Sequence, residues 1–283
     1  MKLVTFEVGG QASYGCLAAD KIIDLGRYFG SRFADLRAVL EAGALPELAQ
    51  AAATLAPSLA LADVTLLPVV TNPQKIFCVG LNYKTHVLET KRADSDYPSI
   101  FTRFADTLVA HDAPLVKPTI SERFDYEGEL AIVIGQGGRN ITQADALKHI
   151  AGYACFNDGS VRDLQRHTHQ WTPGKNFPGT GAFGPCLTTV DEVPDLGAQT
   201  ITTRLNGQVM QHASMSDLIF TLPVIIEYIS SFTPLMPGDV IVTGTPGGVG
   251  DKREPPVYMK NGDLVEVEIT GVGLLRNTVK NEI

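Results

Sequence analysis

Residues 125–135 read Asp-Tyr-Glu-Gly-Glu-Leu-Ala-Ile-Val-Ile-Gly, and no other stretch constrains the fold so tightly. The apolar run from Leu130 to Ile134 marks a buried strand. Extended back to Glu127, that strand sets Glu127 and Glu129 on one face, ~7 Å apart along the chain. Ala131 and Val133 continue the same face, while Leu130, Ile132 and Ile134 take the other. Two carboxylates that run into apolar surroundings repel each other and lose hydration, so they need a cation or a shared proton. The alternative is an exposed strand end with two solvated glutamates.

Further short apolar or alternating segments recur at 76–80, 186–189, 201–206, 239–243 and 264–269, and each reads as a strand. Asn206-Gly207 and Asn261-Gly262 are turn signals. Helical periodicity is scarcer. Thr142 with Asp145 resembles a capping box for a helix through Ile150, and Ser216 is placed to cap another through Phe232. A β-dominated α+β core follows, not a doubly wound parallel sheet. Residues 1–70 read as a small N-terminal α/β accessory domain, with strands at 3–8, 14–18 and 21–25. There a helix capped by Ser31 runs to Glu41 with Gly43 as its stop. Residues 71–283 form the second, catalytic domain.

Charge narrows the partners. Lys and Arg number 23 against 31 Asp and Glu, a net charge of −8. Such a surface repels phosphate backbones and anionic lipid, which argues against nucleic acid and membranes but not against a small anionic substrate in a local basic pocket. The four cysteines are scattered without a C-x-x-C pair, which suits a reducing compartment. The first ten residues read as a strand entering a turn and not as a leader. No apolar run nears the ~20 residues of a membrane helix. A soluble, cytoplasmic chain is expected.

Asp158 adds a third carboxylate where the apolar segment 153–156 runs into Asn157-Asp158-Gly159. Three carboxylates without Cys or His partners suit hard, oxygen-loving ions such as Mg²⁺, Mn²⁺ or Ca²⁺; the plainer use of Asp158 is to cap a turn. His86 and Glu89 lie three apart, so on a helical turn they share a face and form either a general base with its orienting carboxylate or a surface pair. Arg103 and Lys175 are candidates to grip a substrate carboxylate, against the alternative of surface snorkelling. Gly179-x-Gly181-x-x-Gly184 is flanked by Pro178 and Pro185 and lacks the strand and helix of a dinucleotide site, which argues against a nucleotide-binding oxidoreductase. The glycine-rich 243–250 stretch has no Gly-Lys-Ser/Thr, yet offers backbone N–H groups and the Thr245 hydroxyl to an anion. His167-x-His169 reads as part of a mobile polar loop.

In order along the chain stand Gly80-Leu81-Asn82-Tyr83 with His86, Tyr126-Glu127-Gly128-Glu129-Leu130, Gly152-Tyr153 with Asn157-Asp158, and Arg162-Asp163. Then follow Gly174-Lys175-Asn176-Phe177, Thr243-Gly244-Thr245-Pro246-Gly247-Gly248-Val249-Gly250, and Gly271-Val272-Gly273 with Leu275-Arg276-Asn277. Over residues 75–280 this pattern resembles the fumarylacetoacetate hydrolase family. The resemblance implies a mixed β-roll core, a homodimer, and one Mg²⁺ or Mn²⁺ held by Glu127, Glu129 and Asp158. It further implies His86 and Glu89 as a water-activating pair on a lid segment, Lys175 at the substrate or its enolate, and Tyr83, Gly244 and Thr245 at the substrate. Arg103 stands where many relatives carry Lys, which exchanges a point charge for a bidentate fork. The first functional reading is a metal-dependent hydrolase that cleaves a C–C bond of an acylpyruvate-type β-diketo acid. The alternative is an isomerase, tautomerase or decarboxylase of an oxo-diacid. A non-catalytic, metal-stabilised fold is the reading from outside enzymology.

Overall fold

In the computed structural model, which describes every residue except 92 and 94, the chain opens with three antiparallel strands: β1 (Lys2–Val8), β2 (Gln11–Ala18) and β3 (Lys21–Asp24). Three short helices follow, α1 (Gly26–Phe29), α2 (Leu36–Glu41) and α3 (Leu45–Ala52), then β4 (Leu59–Ala60) and β5 (Thr65–Leu67). The cap of α2 is Asp35, not Ser31: its backbone is extended and its carboxylate accepts the Ala38 N–H at 2.8 Å. The Ala-rich stretch that carries no sequence signal of its own is helix α3, entered through Pro46.

The next stretch supplies β6 (Ile76–Gly80), α4 (Lys84–Thr90), β7 (Ser99–Arg103), β8 (Leu108–Val109), β9 (Leu115–Lys117), β10 (Phe124–Asp125) and β11 (Gly128–Ile134). After α5 (Gln143–Ala146) come β12 (Ile150–Asp158), β13 (Ser160–Val161), α6 (Arg162–Gln165), α7 (Thr172–Lys175) and β14 (Gly181–Thr189). The chain ends through β15 (Thr200–Leu205), β16 (Gln208–Ser214), α8 (Leu222–Phe232), β17 (Val240–Val242), β18 (Leu264–Ile269) and β19 (Gly273–Asn281). Two helix expectations shift. Thr142 stands at the N-cap of α5, but its hydroxyl bonds the Asp145 carboxylate and no backbone N–H, and the helix tightens to 3₁₀ at Leu147–His149. Ser216 lies in a separate 3₁₀ turn capped by Ser214, and α8 begins only at Leu222, with Pro223 in its first turn.

Twelve strands form one sheet, whose main path runs β4-β3-β2-β1-β14-β12-β11-β17-β6-β7. A five-stranded sheet, β16-β15-β18-β19-β9, lies against it. The alternation read from the sequence holds at β11. Leu130, Ile132 and Ile134 pack with Ile201, Val265 and Val267 of the second sheet and with Ile225, Ile226 and Ile229 of α8. Ala131 and Val133 pack on the opposite face with Ala154, Phe156 and Val242. That second face also takes in Leu3, Val39 and Leu48. Residues 1–70 therefore share both a sheet, through β1 and β14, and a hydrophobic core with the rest of the chain. Among the described residues, no helix is long and apolar enough to cross a membrane.

Candidate metal centre and active site

The antiparallel register of β11 on β12 sets Gly128 opposite Asn157 and Glu129 opposite Phe156, and the Asp158 N–H donates to the Glu127 carbonyl at 2.8 Å. Asp158 is thereby brought to the same face as Glu127 and Glu129, at the open end of a strand pair whose other end is packed core. All three are buried, and each offers one oxygen within 4.8 Å of the others'. The structure thus brings together three carboxylates that lie up to 31 positions apart in sequence.

Each carboxylate has different neighbours. Glu127 takes Arg162 at 2.7 Å and Lys175 at 2.6 Å on its two oxygens. Burial pushes its carboxyl up, but those two cations outweigh burial and hold it at about 2. Asp158 takes Arg103 at 2.6 Å and Lys175 at 2.5 Å. Among the described residues, Glu129 receives only the Gly244 backbone N–H, at 2.5 Å, and no side-chain cation. Burial first, then the charges of Asp158 and Glu127, drive its carboxyl well above the ordinary range. A buried carboxylate beside two others, with one amide to share its charge, is electrostatically underserved. An all-oxygen, all-acidic donor set of this kind fits a hard divalent cation such as Mg²⁺ or Mn²⁺.

Glu127 and Glu129 of the triad face a cavity of about 540 Å³, within the ~300–1,000 Å³ usual for small-molecule sites. His86, Lys175 and Thr245 line it together with Glu127 and Glu129. His86 and Glu89 lie one turn apart on α4, with Nδ1 and Oε1 2.7 Å apart. The other Glu89 oxygen accepts the Gly248 N–H at 2.7 Å, so Glu89 serves as an acceptor on both oxygens. Nδ1 of His86 is then the donor, and in the neutral tautomer Nε2 is the ring nitrogen that can accept a proton.

The glycine-rich 243–250 loop does bind anions, but they are the protein's own carboxylates. Gly244 N–H goes to Glu129, Gly248 N–H to Glu89, and the Gly250 and Asp251 amides to Asp125 at 2.9 and 3.0 Å. Gly244 and Gly248 hold φ of +108° and +106°, conformations that L side chains rarely adopt. Gly247 N–H adds a bond to the Thr85 hydroxyl at 3.0 Å, so α4 is stapled to this loop at two points.

Three expected substrate contacts are placed elsewhere. Arg103 is buried outside the cavity lining, with its guanidinium given to Asp158, the Gly159 carbonyl and the Thr180 hydroxyl. Its contact in the site is with a carboxylate of the triad. Gly244 gives its N–H to Glu129. Tyr83 is fully buried and is not among the cavity lining, and among the described residues its hydroxyl has no hydrogen-bond partner; burial pushes its pKa up, with the Glu129 charge adding to the effect. Thr245 does line the cavity, but its hydroxyl donates to the Gly128 carbonyl and accepts from Gln211 at 2.7 Å.

Sequence reasoning assigned no role to Arg162. It bonds Asp125 through Nε at 2.8 Å and both Glu127 and Gln165 through Nη1, while Nη2 is buried with no hydrogen-bond partner among the described residues and the side chain lines the cavity. Buried donors are nearly always satisfied, so an orphan one at a cavity wall marks a ligand position. The available signal was its place four residues after Asp158, next to a strand end and outside any charge run. Asp125 was also missed. Buried beneath the site, it orients Arg162 and collects the loop amides.

The family model described as fumarylacetoacetate (FAA) hydrolase C-terminal matches residues 75–280. A mitochondrial oxaloacetate tautomerase of Xenopus laevis is 38% identical over 287 residues, covering 99% of this chain and 90% of that protein. The structure of a fumarylacetoacetate hydrolase from Exiguobacterium antarcticum superimposes with a TM-score of 0.84 at 33% identity, covering 100% of both chains. That of a maleylpyruvate hydrolase from Sphingobium sp. SYK-6, solved with manganese(II) and pyruvate, gives 0.83 at 28% identity, again over 100% of both. Site, fold and sequence converge, and the chain belongs to the fumarylacetoacetate hydrolase family.

Proposed function

We propose that this chain is a divalent-metal-dependent tautomerase of a 2-oxo diacid of the oxaloacetate type, which interconverts its keto and enol forms and works as a homodimer. The observation that carries the reading is the His86–Glu89 pair at the wall of the cavity that Glu127 and Glu129 face, because keto–enol exchange requires one base beside the C–H next to a keto group. Likeness to the oxaloacetate tautomerase of Xenopus laevis supports this over the hydrolase reading. The two solved structures named as hydrolases keep C–C cleavage of an acylpyruvate-type acid as the second reading.

When bound by Glu127, Glu129 and Asp158, Mg²⁺ or Mn²⁺ supplies Lewis-acid stabilisation of negative charge on the keto oxygen. The remaining chemistry belongs to the side chains. His86 Nε2 takes the proton from C3, the electron pair left behind forms the C2=C3 double bond, and charge moves onto the keto oxygen. Glu89 steadies the imidazolium that results, and the Gly248 amide steadies Glu89. Arg162 Nη2 and the Lys175 ammonium hold the acid end of the substrate, a role supported by the unpartnered Nη2 and by the position of both side chains in the cavity lining. The His86 imidazolium then gives this proton to the enolate oxygen, which completes the enol and regenerates the base, and reversal returns the proton to C3. A positioned base of this kind contributes ~10²–10⁴-fold.

The test follows the ultraviolet absorbance of enol-oxaloacetate with metal-loaded protein, with and without EDTA, beside pyruvate release from acetylpyruvate. The proposal expects metal-dependent decay of the enol signal far faster than acetylpyruvate cleavage. Cleavage without enol decay would overturn it in favour of the hydrolase.

A further inference from the structure

The segment between α6 and α7 roofs the cavity, and both of its ends are anchored in the site. Arg162 begins α6 on Asp125 and Glu127, and Lys175 ends α7 on Glu127 and Asp158. Between them, His167 and His169 line the same cavity as Glu127 and Glu129. The other basic side chains of the lining have partners. His86 is on Glu89, Arg162 and Lys175 are on the floor carboxylates, and Arg166 and Lys252 are both on Asp251. Among the described residues, neither the His167 nor the His169 ring has a hydrogen bond or ion pair.

The roof therefore differs from the floor in charge. At the floor, three carboxylates gather around the cations. At the roof, Arg166 and Lys252 share the single carboxylate of Asp251, which leaves an excess of positive charge beside two unpartnered imidazoles. A ligand whose 2-oxo acid end meets Arg162 and Lys175 at the floor turns its other end toward this roof. An anionic end gains N–H donors and favourable field there, whereas a methyl end gains neither. Both rings sit on an exposed, short segment, where side chains change rotamer on the ps–ns timescale.

We infer that His167 and His169 are specificity-determining residues that receive the distal carboxylate of a diacid and so discriminate diacids from monoacids of equal length. The inference rests on the 2-oxo acid reading of the floor. It absorbs the His-x-His spacing that otherwise has no role in the site.

The test measures binding and not turnover, by calorimetry on the metal-loaded full chain. The probes are N-oxalyl-β-alanine and N-propyloxamate, which differ by a terminal carboxylate in place of a methyl group and carry no enolisable C–H beside the oxo group. The wild-type protein is expected to favour the diacid by about tenfold, the yield of one charge-assisted hydrogen bond. In His167→Ala/His169→Ala that ratio collapses. In His167→Gln/His169→Gln, which keeps an N–H donor at each position, it is partly restored. An unchanged ratio in the alanine variant, or no discrimination in the wild type, overturns the inference. Failure of the tautomerase reading looks different: oxaloacetate shows no metal-dependent enol decay while the probe ratio still moves with the histidines.

Discussion

Glu129 and His86 pose opposite demands on the same cavity, the one for a cation and the other for a proton. Removing the base while leaving the rest intact is the informative change. His86→Ala is expected to lower kcat for tautomerisation by ~10²–10⁴-fold with little change in metal affinity, because His86 is not among the three ligand carboxylates. Equal turnover by the variant would remove His86 from the chemistry. Away from the site, His111 offers a clean pH signature. Its Nδ1 accepts the Arg276 backbone N–H at 3.1 Å and its Nε2 lies 3.3 Å from Asp112. Burial, opposed in part by Asp112, moves its pKa below 6.5. The unfolded chain therefore binds the proton first as pH falls. The stabilisation is full above ~6.5 and is lost on descent from there toward the lower folded value. Denaturation midpoints between pH 7.5 and 5.5 should fall less steeply for His111→Gln than for wild type; parallel curves would contradict this. Asp112, lowered chiefly by its bond to Arg276, titrates below that window.

Among the elements, the legible ones were those whose pattern is local. The β11 alternation, from which the triad's two glutamates were inferred, follows from the period of two alone. Helix starts were less legible, since Ser31, Thr142 and Ser216 all satisfy the capping rule on paper. Asp35 takes the α2 start because its own extended backbone puts a carboxylate on the Ala38 N–H, and α8 starts at Leu222 beside Pro223. The direction of Arg103 was not legible either, because a guanidinium that bonds Asp158 and Thr180 depends on pairings 55 and 77 residues away. Substitution Asp35→Ala should cost about 1 kcal/mol or more in urea denaturation while leaving kcat unaltered, as it removes the cap bond to Ala38 and the bond from Asn72, both outside the cavity lining. A loss below ~0.3 kcal/mol would show that the cap is dispensable.

At the scale of the whole molecule, the two-part organisation read from composition meets one continuous sheet. Composition changes near residue 70, but β1 pairs with β14 and Leu3, Val39 and Leu48 share a core with Ala131, Val133 and Phe156. Strand pairing across such a distance leaves no trace in local sequence. A chain of residues 71–283 would expose the β14 edge and that core face. It is expected to aggregate or to lose cooperative unfolding, and a soluble, cooperatively melting fragment would contradict the shared core. Metal links to the same scale. Binding to the folded triad alone raises stability by about 2.7 kcal/mol at a free ion concentration 100 times Kd, so EDTA should lower the melting temperature measurably.

The most direct measurement is solvent deuterium incorporation at C3 of oxaloacetate, followed by proton NMR with Mg²⁺- or Mn²⁺-loaded wild type, the EDTA-treated protein and His86→Ala. Exchange well above the spontaneous rate is expected only in the loaded wild type. Exchange no faster than without protein, accompanied by steady pyruvate release from acetylpyruvate, would contradict it and leave the carboxylate triad serving a hydrolase.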